Sequence, residues 1–505
     1  MKKIKRVLVS VYHKEGLEPL IRALNDQGIE IISTGGTYEF VTNLGIEAKS
    51  VESITEYPSI LGGRVKTLHP RIFGGILSRR DQVQDQREAE LYLIPEIDAV
   101  IVDLYPFEET LASGASEEEV IEKIDIGGIS LIRAAAKNFK DVIIVPSSEY
   151  YSQFMELIRS GSGSIGYEDR RTFATYAFNV SSHYDTAIYE YFNRKENLNF
   201  FKSSIAKHEV LRYGENPHQV GVFHGNLDEI FNQIHGKAIS YNNLVDIDAA
   251  MDLIREFEDT AFVIIKHTNA CGVAVRQSVK QAYLDALAGD PISAFGGILA
   301  TNRLVDLEAA EEINKLFFEI LIAPGFEKNA MEVLQSKKNR IILQAKPVML
   351  PQRQFKSVLN GVIEQDKDTK RELASDLKVV TTLPPGQQEI EDLLFANIIV
   401  KHTKSNAIVL ARNRQLIASG VGQTSRVDAL RQAILKARTF GFDLKGAVMA
   451  SDAFFPFPDC VEIAHIEGID AIIEPGGSVR DEDSINYCTE NGMRMVFTGF
   501  RHFKH

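Results

Sequence analysis

Short apolar runs alternate with helically spaced apolar positions along the first 150 residues of the chain. The runs that predict strands are residues 7–11, 30–33, 99–104 and 141–145. Between the first two runs, apolar side chains recur on one helical face, and Gly28 stands where a helix would end. This order is typical of a parallel α/β sheet, in which the carboxyl ends of the strands meet at one edge. We therefore expect Ser10, residues 33–37 and residues 103–105 to share one rim.

The rest of the chain predicts a domain boundary and an internal duplication. Residues 149–193 have a largely helical pattern, and the polar stretch 193–207 predicts a linker. Behind it, Ile-Ile-Lys-His-Thr at 264–268 recurs as Ile-Val-Lys-His-Thr at 399–403. We interpret each copy as the end of an apolar strand, which predicts two repeats of one α/β unit. The expected domains are residues 1–198, 199–360 and 361–505.

Composition and charge exclude several classes of protein. The 505 residues include 56 Lys and Arg against 69 Asp and Glu, a formal charge of −13. Because nucleic-acid and anionic-membrane surfaces require pooled Lys and Arg, neither partner is expected. No apolar run approaches the roughly 20 residues that span a bilayer, and the three cysteines show no C-x-x-C spacing. We expect a cytoplasmic protein in which local positive groups bind any anionic substrate.

Two glycine-containing segments of the first domain are candidates for phosphate binding. Residues 33–37, Ser-Thr-Gly-Gly-Thr, lie between a predicted strand and a helical pattern that begins near Tyr38. This segment could bind an anion through its backbone amides, its hydroxyl groups and the start of the following helix. A tight turn with a capping Thr explains the same residues equally well. Residues 61–70 join two glycines to Arg, Lys, Thr and His with no acid nearby in sequence, which favours an anion as their partner. The Walker loop and the G-x-G-x-x-G fingerprint are both absent, so neither a nucleoside triphosphate nor a dinucleotide is indicated.

Two further segments combine a candidate chemical group with a turn. Asp125 opens a helical stretch that ends near Lys137, and its carboxylate is a candidate catalytic group or only a partner for the helix start. Residues 212–219 contain Arg, Tyr, Gly, Asn-Pro and His, which is more chemistry than an ordinary turn requires.

Lys266 and His267 end a predicted strand, where an ammonium beside the imidazole favours the neutral form that a general base needs. A hydrogen-bonded core histidine is the common alternative. Because neighbours on a regular strand face opposite sides, the strand must end there for both to serve one site. The C-terminal segment 500–505 places Arg501, Phe503 and His505 on one face if it is extended, and is otherwise a frayed tail.

With these segments assembled, the chain resembles the family of bifunctional purine-biosynthesis enzymes that join a formyltransferase to inosine monophosphate cyclohydrolase. The resemblance covers nearly the whole chain and is carried by residues 33–37, 62–70, 104–107, 125–128, 134–138, 212–219 and 451–457. It implies a methylglyoxal-synthase-like parallel-sheet domain followed by two tandem cytidine-deaminase-like α/β domains. It also implies a homodimer whose interface forms the formyltransferase sites.

Two successive reactions follow from the resemblance. The 5-amino group of 5-aminoimidazole-4-carboxamide ribonucleotide takes a formyl group from the co-substrate 10-formyltetrahydrofolate, and ring closure with loss of water then gives inosine monophosphate. Neither step requires a metal.

Residue roles are implied by the resemblance position by position. For ring closure the catalytic residues are Lys66, Tyr105, Asp125 and Lys137. The same domain holds the nucleotide through Ser10, Lys14, Ser33, Gly35, Thr37, Arg64 and Thr67. Formyl transfer uses His267 as the base, Lys266 beside it and Asn406 to orient the formyl group. Nucleotide or folate contacts are implied for Arg212, Tyr213, His218, Phe295, Gly296, Arg426, Phe454, Arg501 and His505.

Two residues depart from the family pattern, and the spacing of two others conflicts with a single shared site. Tyr12 replaces the second serine of Ser-Val-Ser-Asp-Lys, so one hydrogen bond to the nucleotide is lost or rebuilt. Cys460 stands where relatives tend to carry Asn or Gly. A continuous helix would hold Asp125 and Lys137 about 18 Å apart, at 1.5 Å per residue. Either the helix starts later and bends, or one of the two residues contacts the far end of the nucleotide.

Other functions share parts of this pattern. A zinc nucleoside deaminase would have the implied C-terminal fold, but it needs H-x-E and P-C-x-x-C motifs that the chain lacks. A zinc-independent deaminase-like nucleotide hydrolase also shares that fold. A non-catalytic nucleotide-binding scaffold would keep the pockets without the reactive groups, whereas this chain retains Lys66, Asp125, His267 and Asn406.

Overall fold

The computed structural model describes all 505 residues, which form two compact units, Met1–Ala206 and Lys207–His505. The predicted boundary at residue 198 falls in the linker that follows a long helix ending at Glu196. None of the helices combines the length and the apolar character that crossing a membrane requires.

The first unit contains seven strands and ten helices. The strands are β1 (Lys2–Lys3), β2 (Arg6–Val11), β3 (Glu30–Ser33), β4 (Lys49–Ser50), β5 (Ala99–Asp103), β6 (Ile143–Val145) and β7 (Ser164–Ile165). The helices are α1 (Leu17–Asp26), α2 (Gly35–Asn43), α3 (Val51–Thr55), α4 (Pro70–Leu77), α5 (Val83–Leu91), α6 (Phe107–Ala112), α7 (Glu117–Glu122), α8 (Gly127–Lys137), α9 (Tyr151–Ser160) and α10 (Tyr167–Glu196).

A five-stranded parallel sheet in the order β4–β3–β2–β5–β6 forms the centre of this unit. Along β2, Val7 and Val9 are buried in one apolar cluster and Leu8 in another, so both faces of the sheet are covered. Near-continuous apolar runs are what such a doubly covered sheet requires. All four predicted strands are confirmed, and Gly28, with φ of 66°, follows the end of α1 as predicted.

The second unit contains sixteen strands and eight helices. The strands are β8 (His208–Val210), β9 (Val222–His224), β10 (Phe231–His235), β11 (Ala261–Lys266), β12 (Asn269–Val275), β13 (Ile298–Thr301), β14 (Ile320–Ala323), β15 (Ile341–Ala345), β16 (Arg353–Val358), β17 (Gly361–Asp366), β18 (Lys378–Val379), β19 (Ile408–Arg412), β20 (Gln415–Gly420), β21 (Val448–Ser451), β22 (Ala471–Glu474) and β23 (Arg494–Phe497). The helices are α11 (Tyr241–Ile254), α12 (Val279–Gly289), α13 (Leu307–Ile313), α14 (Lys328–Leu334), α15 (Gln387–Lys401), α16 (Arg426–Thr439), α17 (Asp459–Ile466) and α18 (Asp481–Glu490).

One twelve-stranded sheet runs through the second unit in the order β10–β15–β14–β13–β11–β12–β20–β19–β21–β22–β23–β18. Each half contains a hairpin, a third strand antiparallel to its first strand, and two further parallel strands. The halves join where β12 pairs antiparallel with β20. The predicted duplication is therefore present in the strand order.

The sequence motif that suggested the duplication occupies different elements in the two halves. Residues 264–268 end β11 and enter its turn, but residues 399–403 end the helix α15, so the prediction of a second strand there was wrong. The run Ile398-Ile399-Val400 is β-branched, which favours a strand locally, yet Leu393, Ala396 and Val400 bury one helical face. Buried Lys401 forms an ion pair with Glu256 (Nζ to Oε1, 2.6 Å), so the second copy of the motif has a structural role in the interior of the unit.

Candidate functional site

The predicted rim is present at the carboxyl edge of the first sheet. Ser10 Oγ lies 3.3 Å from Thr34 Oγ1, which joins the end of β2 to the segment after β3. The Tyr12 amide donates to Asp103 O at 3.2 Å, which joins β2 to β5. The residues on which a ligand would lie therefore come from three adjacent strands.

Two hydroxyls of this rim are committed to the backbone. Ser33 Oγ donates to Val9 O and Thr37 Oγ1 donates to Val11 O, each at 2.9 Å, and both side chains are buried. They therefore build the floor of the crevice. Helix α2 begins at Gly35, three residues before the prediction, and its first amides have no acceptor within the helix.

Lys66 lies against the start of α2. A Cβ atom built on Gly35 would lie 3.4 Å from Lys66 Nζ, and one built on Gly63 would lie 2.8 Å from Lys66 Cε. The missing side chain at Gly63 therefore makes room for the lysine side chain, and the ammonium group lies within contact distance of Gly35. A cation beside a helix N-terminus is a favourable place for a phosphate or another oxyanion.

Other residues predicted to hold the nucleotide already have partners. Arg64 is exposed and pairs with Glu122, an acid that is distant in sequence. Thr67 is buried at the start of α8, 3.3 Å from a Cβ atom built on Gly127. Lys14 Nζ donates to Val11 O at 2.5 Å and to Tyr12 O at 3.0 Å, and burial lowers its pKa.

Asp125 and Tyr105, both predicted to be catalytic, lie beside this crevice. Asp125 precedes α8, and its Oδ1 accepts from the Gly128 amide at 2.7 Å. Burial raises the pKa of the Asp125 carboxyl. Burial also raises the pKa of the Tyr105 phenol, and the nearby Asp125 charge adds to that shift. The two groups are thus close enough to influence each other electrostatically.

Lys137 does not join this cluster within one chain. Helix α8 is continuous from Gly127 to Lys137, so its two ends are about 15 Å apart at 1.5 Å per residue. The chain runs from Lys137 through residues 138–142 into the amino end of β6, which places Lys137 at the opposite edge of the sheet from Asp125. The Lys137 side chain is exposed, and its part in catalysis stays a prediction.

Tyr12, the departure from the family pattern, forms an aromatic and cationic group with two neighbours. Its ring packs edge-to-face on Tyr105, with centroids 5.3 Å apart. Lys123 Nζ donates to Tyr12 Oη at 3.1 Å and lies 4.8 Å from the ring centroid. A hydroxyl is therefore present at this rim in a new position. Sequence reasoning missed Lys123, whose only signal was its place two residues before Asp125.

In the second unit, Lys266 and His267 lie at a tight turn between β11 and β12. β11 ends at Lys266, as predicted, and the turn residues His267 and Thr268 have φ of 51° and 66°. Both are left-handed, the backbone of a two-residue hairpin turn. The imidazole therefore leaves the sheet edge in a direction that a continued strand would not allow.

Phe295 and Gly296 are brought to Lys266. Lys266 Nζ donates to Phe295 O at 2.8 Å, and a Cβ atom built on Gly296 would lie 3.3 Å from that nitrogen. The Phe295 ring packs on Phe317, with centroids 4.9 Å apart. An ammonium has three protons, so Lys266 retains donors for a ligand.

Asn406 and Arg426 form a second group in the other half of the unit. Arg426 Nη2 donates to Asn406 Oδ1 at 2.9 Å, and Asn406 Nδ2 donates to Gln423 O at 3.0 Å, which fixes the orientation of the amide. Arg426 itself forms a buried ion pair with Asp452. Cys460 is buried near this group; burial raises the pKa of its thiol and makes it a packing residue.

Strand directions bring the two groups to one edge of the sheet. β11, β12, β20 and β19 are neighbours in the sheet, and each is antiparallel to the next, so β11 and β19 run in opposite directions. The end of β11 and the start of β19 therefore lie at the same edge of the sheet. The Lys404 amide donates to Asn269 Oδ1 at 3.0 Å across the junction between the halves.

The C-terminal segment is anchored beside Asn406. Arg501 lies over the Phe503 ring at 4.8 Å, and Phe503 packs on His505 at 5.6 Å between centroids, so the three share a face as predicted. His502, which sequence reasoning missed, is buried and hydrogen-bonded to Asp368 (2.6 Å) and Glu372 (3.2 Å). The Lys504 amide also donates to Ser405 Oγ at 3.0 Å.

The remaining predicted contacts lie on exposed segments. Arg212 lies over the Tyr213 ring at 5.6 Å, and the Gly214 amide donates to Gln219 O at 2.7 Å to close their loop. His218 is exposed in that loop, and Phe454 is 38% exposed beside buried Phe455. None of their hydrogen bonds joins them to Lys266.

The structure is thus that of an α/β protein in which each unit brings some of the predicted site residues together at the ends of strands. Comparison with known proteins identifies its kind. A family model described as "MGS-like domain" matches residues 16–130, and one described as "AICARFT/IMPCHase bienzyme" matches residues 135–436.

Close relatives span the whole chain. It is 63% identical over 504 residues to the bifunctional purine biosynthesis protein PurH of Bacteroides thetaiotaomicron, covering 100% of this chain and 99% of the relative. It is 47% identical over 512 residues to the protein of the same name from Aquifex aeolicus, covering 99% and 100%. A solved structure titled "Crystal structure of ForH" matches 37% of this chain and 96% of its own, with 34% identity and a TM-score of 0.33.

The chain belongs to the family of bifunctional purine biosynthesis proteins, the AICARFT/IMPCHase bienzymes. Its two activities are formyl transfer to 5-aminoimidazole-4-carboxamide ribonucleotide and the cyclohydrolase reaction, which closes the ring with loss of water to give inosine monophosphate. The formyl donor is 10-formyltetrahydrofolate. The first unit contains the MGS-like domain.

Proposed function

We propose that the two activities belong to the two units: ring closure to the Lys66, Tyr105 and Asp125 cluster, and formyl transfer to the Lys266, His267 and Asn406 cluster. The observation that carries the proposal is the presence of one complete set of proton-transfer groups in each unit. The functional borders follow the predicted ones, with residues 1–198 for ring closure and two formyltransferase halves at 199–360 and 361–505.

In formyl transfer, His267 acts as the base. The 5-amino nitrogen is a weak nucleophile because its lone pair is delocalised into the ring, so its proton must leave as it attacks. The nitrogen bonds to the formyl carbon while the imidazole takes the proton, and the bond from that carbon to the folate nitrogen then breaks. Lys266 donates to the developing oxyanion, and a proton passes to the departing folate nitrogen. Asn406, held by Arg426, orients the formyl group.

In ring closure, the carboxamide nitrogen attacks the formyl carbon of the same molecule. Because the reaction is intramolecular, holding the substrate folded supplies much of the rate increase. Asp125 and Tyr105 exchange protons with the attacking nitrogen and with the oxygen that leaves as water. Lys66 and the first amides of α2 bind the anionic oxygens of the nucleotide.

Separation of the first unit tests the division of labour. A chain of residues 1–206 corresponds to one compact unit. We expect it to convert the formylated nucleotide to inosine monophosphate, and the absorbance change of the nucleotide measures this conversion. A folded fragment without this activity would contradict the assignment of ring closure to the first unit.

The two halves of the second unit are further proposed to be cytidine-deaminase-like domains that form their sites in a homodimer. The repeated strand order supports the first point. For the second, all twelve residues of the hairpin β16–β17 are exposed, among them Ile363 at 60%. An isolated two-stranded hairpin is marginally stable in water, and this one exposes Val358, Val362 and Ile363 among polar side chains, so a covering surface would stabilise it. A second copy of the chain is the occupant we propose.

A further inference from the structure

Asp246 hydrogen-bonds the turn that presents His267. It lies in α11, and its Oδ1 accepts from the Thr268 amide at 2.7 Å. Burial raises the pKa of the Asp246 carboxyl, while the backbone amides of Thr268 and His267 and the charges of His267 and Lys266 act in the opposite direction. The carboxylate is therefore within electrostatic reach of both residues assigned to formyl transfer.

The turn itself needs support. His267 and Thr268 both have positive φ, although neither is glycine, and Thr268 is β-branched. Such conformations persist only where surrounding contacts hold them. The Thr268 hydroxyl donates to His267 O at 2.6 Å, and Asn269 Nδ2 donates to the same oxygen at 2.8 Å. Asp246 supplies the only charged group among these supports.

The duplication provides an internal comparison. In the second half, Asp392 of α15 accepts from the amides of Asn413 (2.8 Å) and Arg414 (2.6 Å), which follow β19. These two residues also have positive φ, of 53° and 50°. The same aspartate-held turn thus occurs twice, but in the second copy Asn413 replaces the imidazole.

The second turn lies away from the proposed formyl-transfer site. Because β11 and β19 run antiparallel, their carboxyl ends are at opposite edges of the sheet. Asp392 therefore has the local structural task of Asp246 without a nearby base.

We propose that Asp246 is a positioning residue for formyl transfer, which holds the His267 turn in its left-handed form and places a negative charge beside the imidazole as it accepts the proton. The inference rests on the proposed function of His267 as the base. Asp246 touches neither substrate in this account and acts through His267 alone.

The test compares Asp246→Asn with its internal control, Asp392→Asn, in the full-length chain. Both changes remove one negative charge from an equivalent turn. For Asp246→Asn we expect kcat of formyl transfer to fall about tenfold or more, with KM for the aminoimidazole nucleotide within about twofold of the unchanged protein. For Asp392→Asn we expect kcat of formyl transfer within about twofold of the unchanged protein, even if its thermal unfolding midpoint falls more than that of Asp246→Asn. The rate of ring closure is measured on both variants, and an unchanged rate shows that the first unit is intact.

Unchanged kcat in Asp246→Asn, or an equal loss in both variants, would overturn the proposal. If Asp246→Asn does not fold, Asp246→Ser takes its place, because the Ser hydroxyl still accepts one amide hydrogen bond. His267→Ala is assayed in parallel. Formyl transfer that survives in His267→Ala contradicts the proposed base, whereas loss in His267→Ala with full activity in Asp246→Asn contradicts only the positioning role.

Discussion

Gly35 illustrates how a single residue without a side chain shapes the nucleotide crevice. Its φ is 38°, and a Cβ atom there would approach Lys66 Nζ to 3.4 Å. The neighbouring Gly36 has an ordinary φ, and a Cβ atom there would meet nothing within 4 Å. Two adjacent glycines therefore differ: of the two, only Gly35 has a left-handed backbone and lies within contact distance of the ammonium.

Alanine substitution at the two positions tests this difference. Because alanine disfavours the φ of 38° at Gly35, Gly35→Ala is expected to shift the start of α2 beside Lys66 and to weaken binding of inosine monophosphate about tenfold, with a loss of about 1 kcal/mol in stability. Gly36→Ala is the matched control and should change binding less than about threefold. Isothermal titration calorimetry measures both affinities. Equal effects of the two substitutions would show that the approach of Lys66 to α2 does not determine binding.

At the same scale, several residues that sequence reasoning selected have structural tasks. The hydroxyls of Ser33 and Thr37 were expected to face a ligand, but both donate to carbonyl groups of β2. Residue type and spacing identified the crevice correctly because parallel strand ends meet at one edge. They could not show which hydroxyls were already used, since that depends on the distance between β2 and β3 in the folded chain.

Helices and strands were predictable where the hydrophobic periodicity and the positions of turn residues agreed. The strands near residues 7, 30, 99 and 143 are bounded by turns and were found. α15 was misread because Ile398-Ile399-Val400 is β-branched, and only the burial of positions three to four apart along the helix overrides that preference. Asp246 was missed because its partner amides lie more than twenty residues further along the chain.

The C-terminal segment is an element whose anchoring depends on pH. Burial opposes a charged imidazolium at His502, but hydrogen bonds to Asp368 and Glu372 outweigh it and raise the pKa of His502 to about 9. The unfolded value is about 6.5. Protonation therefore favours the folded state fully below pH ~6.5, and this contribution is lost as pH rises to about 9.

The expected outcome is a loss of stability on the order of 2 kcal/mol between about pH 6.5 and 9, reduced in His502→Gln. His505→Gln, at the exposed end of the same segment, serves as the control and should keep the full pH dependence. Denaturant unfolding at several pH values measures the difference. A His502→Gln variant with the same pH dependence as the unchanged chain would contradict this anchoring role.

For the whole molecule, the exposed hairpin β16–β17 makes a specific prediction about assembly. Ile363→Asp places a charge on its exposed apolar surface, and we expect the dimer to dissociate and formyl transfer to be lost. Ser357→Asp adds the same charge at an exposed position on the opposite face of the hairpin and should leave the dimer intact. Analytical ultracentrifugation reads the association state. A variant Ile363→Asp that sediments as the unchanged protein does would place the interface elsewhere.

In the proposed division of labour, one chain performs two reactions with two independent sets of residues. The most direct measurement assays both half-reactions on His267→Ala and Asp125→Asn: formylation from 10-formyltetrahydrofolate, and closure of supplied formylated nucleotide. We expect His267→Ala to lose formylation by at least about 100-fold and to keep closure, and Asp125→Asn to show the reverse. Parallel loss of both activities in either folded variant would contradict it.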